Sequence, residues 1–264
     1  MSTGPVMSTA GLAVTDLSVT YGGHHAVEGL SLTAPPGRVT GLIGPNGAGK
    51  TSSFNAITGL LRPSGGGVAL DGVDLLPLSP AARARHGLGR TFQRMELLEE
   101  LTVVENIAIA REASLAGGTP WRHLVGRRHD RATIRRDVEE SLAVCSVTEL
   151  AGRQVASLST GQRRLVELAR VVAGGFRILL LDEPSSGLDV NETQRFGTIL
   201  EALVAERGVG ILLVEHDMSL VMRISSYIHV IDFGRPIFEG SPAAVMASDI
   251  VRAAYLGSEA VEVA

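Results

Sequence analysis

The chain has 264 residues and a formal net charge of −4, with 45% hydrophobic and 20% charged residues. This balance excludes a disordered chain and leaves no electrostatic case for nucleic acid as the main partner. Cys145, the only cysteine, excludes an internal disulfide and reads as a small buried side chain in a reducing compartment.

Met1 to Ala10 lacks the basic flank and apolar stretch of a secretory signal and reads as a loose tail, with Met7 as an alternative start. Two β-rich stretches follow, Leu12 to Tyr21 and Arg38 to Ile43. The second enters a glycine loop and then a helix over Thr51 to Leu61. Gly67 to Leu70 and Gly89 to Phe92 are predicted strands. From Thr102 to Ala173 the periodicity becomes helical, broken by an exposed loop at Gly117 to His129. Buried-strand runs return at Ile178 to Leu181, Gly210 to Val214 and Tyr227 to Ile231, with helices at Glu192 to Arg207 and Met218 to Ile224 between them. Strands alternating with helices predict an α/β core with a mainly parallel sheet. The helix-only middle predicts a helical subdomain inserted into that core, roughly 94–173, following an N-terminal antiparallel β portion. Apolar runs are strand-length, far short of the ~20 residues of a membrane span. A soluble protein is therefore expected, reaching a membrane only through a partner.

Gly44-Pro45-Asn46-Gly47-Ala48-Gly49-Lys50-Thr51 matches the P-loop pattern between an apolar strand and a helix. Its glycines allow successive N–H groups to turn inward as an anion cradle at a helix start. Lys50 places a compact charge on the β- and γ-phosphates, Thr51 offers a hydroxyl to Mg²⁺, and Ser52 can donate to the α-phosphate. Lys50 is also the only lysine in the chain. An ammonium fits a loop closed around phosphate where a planar guanidinium would not.

Ile178 to Leu181 ends in Asp182 and Glu183. Asp182 is placed to hold Mg²⁺ through its water shell, and Glu183 is the candidate general base for an attacking water. A second apolar strand ends at His216, placed to sense a γ-phosphate, because strand ends in this architecture converge on one crevice. Ser159, Gly161 and Gln162 open another helix with a hydroxyl and a backbone amide. One nucleotide needs only one such edge, so a second edge implies a partner's nucleotide.

With these motifs in this order the chain resembles ABC-transporter ATPases from end to end. The resemblance implies that Tyr21 stacks on adenine and that Leu158 to Gln162 is the signature. Gln93 matches the Q-loop, a Mg²⁺ and γ-phosphate contact linked to the helical subdomain. Ser186 to Asp189 matches the D-loop, and Thr160 departs from the family's usual glycine. Arg90 to Gln93, Leu101 to Asn106, the loop Gly117 to His129, Glu215 to Met218 and Ala254 to Gly257 resemble the LivG type, an ATPase of branched-chain amino-acid importers. Urea and amide importers and lipopolysaccharide-export ATPases share parts of this pattern.

The resemblance implies one ATPase domain over 11–257, a C-terminal tail over 258–264 and no regulatory domain. It also implies cytoplasmic placement on the inner face of the membrane, a second ATPase subunit (paralogue or copy), permease subunits and, indirectly, a substrate-binding protein. Catalysis would rest on Glu183, His216, Gln93 and Lys50. A soluble ATPase of iron–sulfur cluster assembly is the rival that lacks a membrane partner. ATPases acting on DNA or ribosomes need coiled coils or tandem cores that this chain does not show.

Overall fold

A computed structural model of the protein describes residues 10–91, 97–116 and 128–259. Its strands are β1 (Leu12–Tyr21), β2 (His24–Ala34), β3 (Val39–Ile43), β4 (Gly65–Leu70), β5 (Val73–Asp74), β6 (Leu88–Arg90), β7 (Ile178–Asp182), β8 (Gly210–Val214), β9 (Tyr227–Asp232) and β10 (Arg235–Gly240). Its helices are α1 (Lys50–Thr58), α2 (Pro80–Arg85), α3 (Val103–Ala116), α4 (Arg128–Val144), α5 (Thr160–Ala173), α6 (Val190–Arg207), α7 (Met218–Ile224), α8 (Pro242–Ala247) and α9 (Asp249–Glu259).

The main sheet has the order β10-β9-β3-β8-β7-β6, parallel throughout except for β10 at its edge. Its central strands read as continuous apolar runs because both faces are covered and successive side chains alternate between two cores. Leu179, Leu181, Ile211 and Leu213 enter the core shared with the later helices. Ile178, Leu180, Leu212 and Val214 enter the other, with Phe54 and Ile57 of α1 and the inner face of a second sheet. That second sheet is antiparallel, with the order β2-β1-β4-β5. Helices α3, α4 and α5 pack on one another. The result is the expected α/β class.

Several elements depart from expectation. No strand is expected between Tyr21 and Arg38, yet β2 fills most of that interval. Its buried positions Val27 and Leu30 are three apart across Gly29, whose φ is +67°, and the ladder with β1 carries register shifts. Such irregularities erase the period-two signal. The C-terminal β10, α8 and α9 were also unanticipated, although Ser241 followed by Pro242 is a legible start signal for α8 and does cap it. Helix α1 stops at Thr58 rather than Leu61, because Gly59 turns left-handed and the buried Arg83 donates to the carbonyls of Ala56 and Ile57. Gln93, Phe92, most of the loop Gly117 to His129, and residues 1–9 and 260–264 of the two expected tails lie outside the described residues.

Candidate nucleotide site

The glycine loop joins β3 to α1, so its N–H groups sit where a central strand meets a helix start. Gly49 is the N-cap of α1 at φ 100°, with no capping side chain and no acid in the first turn. A Cβ there would stand 2.3 Å from the carbonyl oxygen of Ala26, so only glycine fits. An uncapped, acid-free N-terminus is what an anion requires. Lys50 is buried and donates to the carbonyls of Gly44 (2.6 Å) and Pro45 (2.8 Å). Burial lowers its pKa, and the carboxylates of Glu183 and Asp182 oppose that shift. Asn46 to Ser52 line a cavity of about 360 Å³ together with Glu183 and His216, a volume within the range of small-ligand sites.

Asp182 ends β7 at 1% exposure. Its Oδ2 accepts from Arg90 at 3.0 Å, while its Oδ1 is buried without a hydrogen-bond partner among the described residues. Burial raises its pKa and the Arg90 guanidinium is the largest opposing influence. An orphaned buried carboxylate oxygen suits a metal-bound water. No group of three or more His, Cys, Asp or Glu could hold a metal among the described residues. Magnesium fits that donor set, because it keeps most of its waters and needs few protein oxygens, here from Thr51 and Asp182. Arg90 also donates to Asn55 Oδ1 (2.7 Å) and Thr58 Oγ1 (3.2 Å), tying α1 to β7. Sequence reasoning gave Arg90 no role, since its partners lie far along the chain.

Glu183 and His216 end adjacent parallel strands, and the His216 Nε2 donates to Glu183 Oε1 at 2.5 Å. Glu183 holds φ +49°, and its N–H donates to the Val214 carbonyl at 2.8 Å. This left-handed step turns the carboxylate out of the strand toward the cavity. Beside them Glu215, buried and also missed, accepts from the N–H groups of Ser185 (2.7 Å) and His216 (3.1 Å). Burial raises its pKa and these hydrogen bonds oppose the shift. It holds the loop after Glu183 against the strand end that carries His216.

Asp217 caps α7 by accepting from Ser219 and Leu220. The Ser219 hydroxyl most of all holds its carboxyl below the ordinary 3.8, burial opposes, and the Leu220 and Ser219 amides add to the lowering. Asp217→Ala should therefore cost about 1 kcal/mol near neutral pH in urea unfolding. A depressed folded pKa means that this stabilisation is present above 3.8 and lost as pH falls through the folded value. The gap between variant and wild type should narrow in acid below that point. A gap constant with pH would contradict the cap's charge dependence.

The other candidate residues stand apart. Ser159, Gly161 and Gln162 are not among the cavity's lining residues. They begin α5 with a capping box, the Ser159 hydroxyl accepting the Gln162 N–H and the Gln162 side chain accepting the Ser159 N–H. A Cβ at Gly161 would strike the Glu192 carboxylate. Tyr21 is 48% exposed at the end of β1 and does not line the cavity, whereas His24, His25 and Phe233 do. Those three were not anticipated, and no pattern in the sequence marks them.

The family model described as ABC transporter matches residues 27–186, and one described as branched-chain amino acid ATP-binding cassette transporter matches 235–261. The chain is 38% identical over 258 residues to the high-affinity branched-chain amino acid transport ATP-binding protein BraF of Pseudomonas aeruginosa, covering 95% of this chain and 99% of that one. It is 38% identical over 259 residues to LivG of Escherichia coli, named for the same transport, covering 95% and 99%. Among solved structures, an ABC-transporter cassette in its ADP conformation superposes with a TM-score of 0.81 at 27% identity, covering 94% of this chain and 98% of that one. The chain belongs to the ABC transporter family, as one of its ATP-binding, ATP-hydrolysing subunits.

Proposed function

We propose that this ATPase drives import of branched-chain or other hydrophobic amino acids, from the cytoplasmic face of permease subunits fed by a substrate-binding protein. The C-terminal match to the branched-chain cassette over residues 235–261 carries the cargo assignment. Export is less favoured, since the lipopolysaccharide export ATPase LptB of Escherichia coli is 30% identical. Among the described residues no helix is long and apolar enough to cross a membrane. The ATPase domain spans 11–257, and its helical subdomain, 94–173, meets the permease. In cells whose chromosomal copy carries Lys50→Ala, uptake of radiolabelled leucine, isoleucine and valine should fall to background. Undiminished uptake of all three would overturn the cargo.

The chemistry follows from the cavity. The α1 N-terminus and Lys50 hold the ATP phosphates, and Lys50 exchanges its bonds to Gly44 and Pro45 for phosphate oxygens. Glu183 takes a proton from the attacking water, and His216 holds the Glu183 carboxylate and contacts the γ-phosphate. Thr51 and Asp182, with Gln93, would hold magnesium, which would supply positive charge beside the phosphate oxygens. Ser159, Gly161 and Gln162, outside this chain's own cavity, close over the nucleotide of a second ATP-binding subunit.

That pairing has a clean test. Ser159→Asp keeps a side chain that caps α5 but sets a carboxylate where the partner's phosphate must approach. The variant should bind MgATP as a monomer with wild-type affinity and fail to form the ATP-dependent pair in size-exclusion chromatography. Lys50→Ala should lose monomeric binding. Equal loss of monomeric binding in both variants would place the signature in its own subunit's site and sink the two-subunit arrangement.

A further inference from the structure

Phe233, in the turn between β9 and β10, is 87% exposed, the most exposed large apolar side chain among the described residues. Its φ is +44°, a backbone region that aromatic residues seldom occupy. The turn is nevertheless fastened on two sides. Gly234 donates to the carbonyl of Ala48 in the phosphate loop (3.1 Å) and accepts from the N–H of Glu28 on β2 (2.8 Å). Arg235 pairs with Glu28 at 2.9 Å. An exposed ring, held in a costly conformation by an anchored turn, lines the same cavity as the phosphate loop.

The walls of that cavity divide by chemistry. Asn46 to Ser52 offer amides, hydroxyls and an ammonium, and Glu183 and His216 are ionisable; all of these suit phosphates and water. The flat, π-bearing walls left for a base and its ribose are His24, His25 and Phe233. We propose that Phe233 is a base-contacting residue of the nucleotide site, its ring stacking on the adenine of bound ATP. The proposal rests on the nucleotide reading of the cavity.

Phe233→Asn tests it without disturbing the turn, because asparagine tolerates a left-handed backbone and the ring is almost wholly exposed. Titration calorimetry would compare MgATP with magnesium tripolyphosphate, which has the phosphates and no base. Base–aromatic stacking corresponds to roughly five- to 150-fold in affinity. Phe233→Asn should weaken MgATP by about fivefold or more and leave tripolyphosphate unchanged, and Phe233→Tyr should bind MgATP as wild type does. Wild-type MgATP affinity in Phe233→Asn would overturn the proposal, as would equal weakening of both ligands. Normal monomeric affinity with a lost ATP-dependent pair would assign the ring to the subunit interface instead. Wild-type protein that binds neither ligand would bring down the nucleotide reading itself, and this inference with it.

Discussion

Glu183→Gln should bind MgATP as tightly as the wild type and turn it over roughly 10²–10⁴-fold more slowly, the range a positioned general base contributes. The change is isosteric, so the phosphate loop, Lys50 and the α1 N-terminus keep their positions. The lost group is one oxygen able to take a proton. That oxygen sits at the cavity edge, 2.5 Å from His216 Nε2. The amide can still meet the histidine, so the strand ends stay in register. With the γ-phosphate uncleaved, an ATP-bound pair of subunits should accumulate in size-exclusion chromatography. Steady-state phosphate release near the wild-type rate would remove Glu183 from the chemistry, whatever its geometry.

Arg90→Met should destabilise the fold by about 3–5 kcal/mol in urea unfolding, the cost of removing one partner from a buried ion pair. Arg90 is 8% exposed and Asp182 1%, and their atoms meet at 3.0 Å. Methionine nearly matches the length of the stem but supplies no charge. It would leave Asp182 buried beside Glu183, with Lys50 as the remaining cation acting on it. The same change would unfasten α1, since Arg90 also holds Asn55 and Thr58 and lies over the Phe54 ring at 5.6 Å. Arg90→Lys keeps the charge and loses the fork, so it should fall between the two. Adding Asp182→Asn to Arg90→Met should recover part of the loss, because the buried charge leaves with its partner. A loss below about 1 kcal/mol would place this contact among ordinary surface pairs.

The contrast between these residues shows where sequence information resides. The phosphate loop is legible as eight contiguous residues, because its glycines, lysine and hydroxyl answer to conformational and chemical demands within one turn of chain. The start of α5 is legible for the same reason, and the same signal marks α6, expected from Glu192 but begun at Val190. Ser159 with Gln162, and Asp189 with Glu192, each satisfy their own helix's first amides three residues apart. The strands β7 and β8 are legible because burial on both faces leaves an unbroken apolar run.

Arg90 and Asp182 are 92 residues apart, and Glu183 and His216 are 33 apart. No periodicity says which strand ends become neighbours, so the first pairing went unrecognised and the second remained an expectation until the order of β6, β7 and β8 placed it. Strand β2 was hidden by its Gly29 irregularity and β10 by the turn that carries Phe233. Those two strands bring His24, His25 and Phe233 to the cavity mouth. By itself the sequence determined the local chemistry, because caps, glycine dihedrals and apolar runs act over a few residues. The tertiary structure alone decided which of those pieces face one another, because sheet order and register set contacts between residues that no local preference connects.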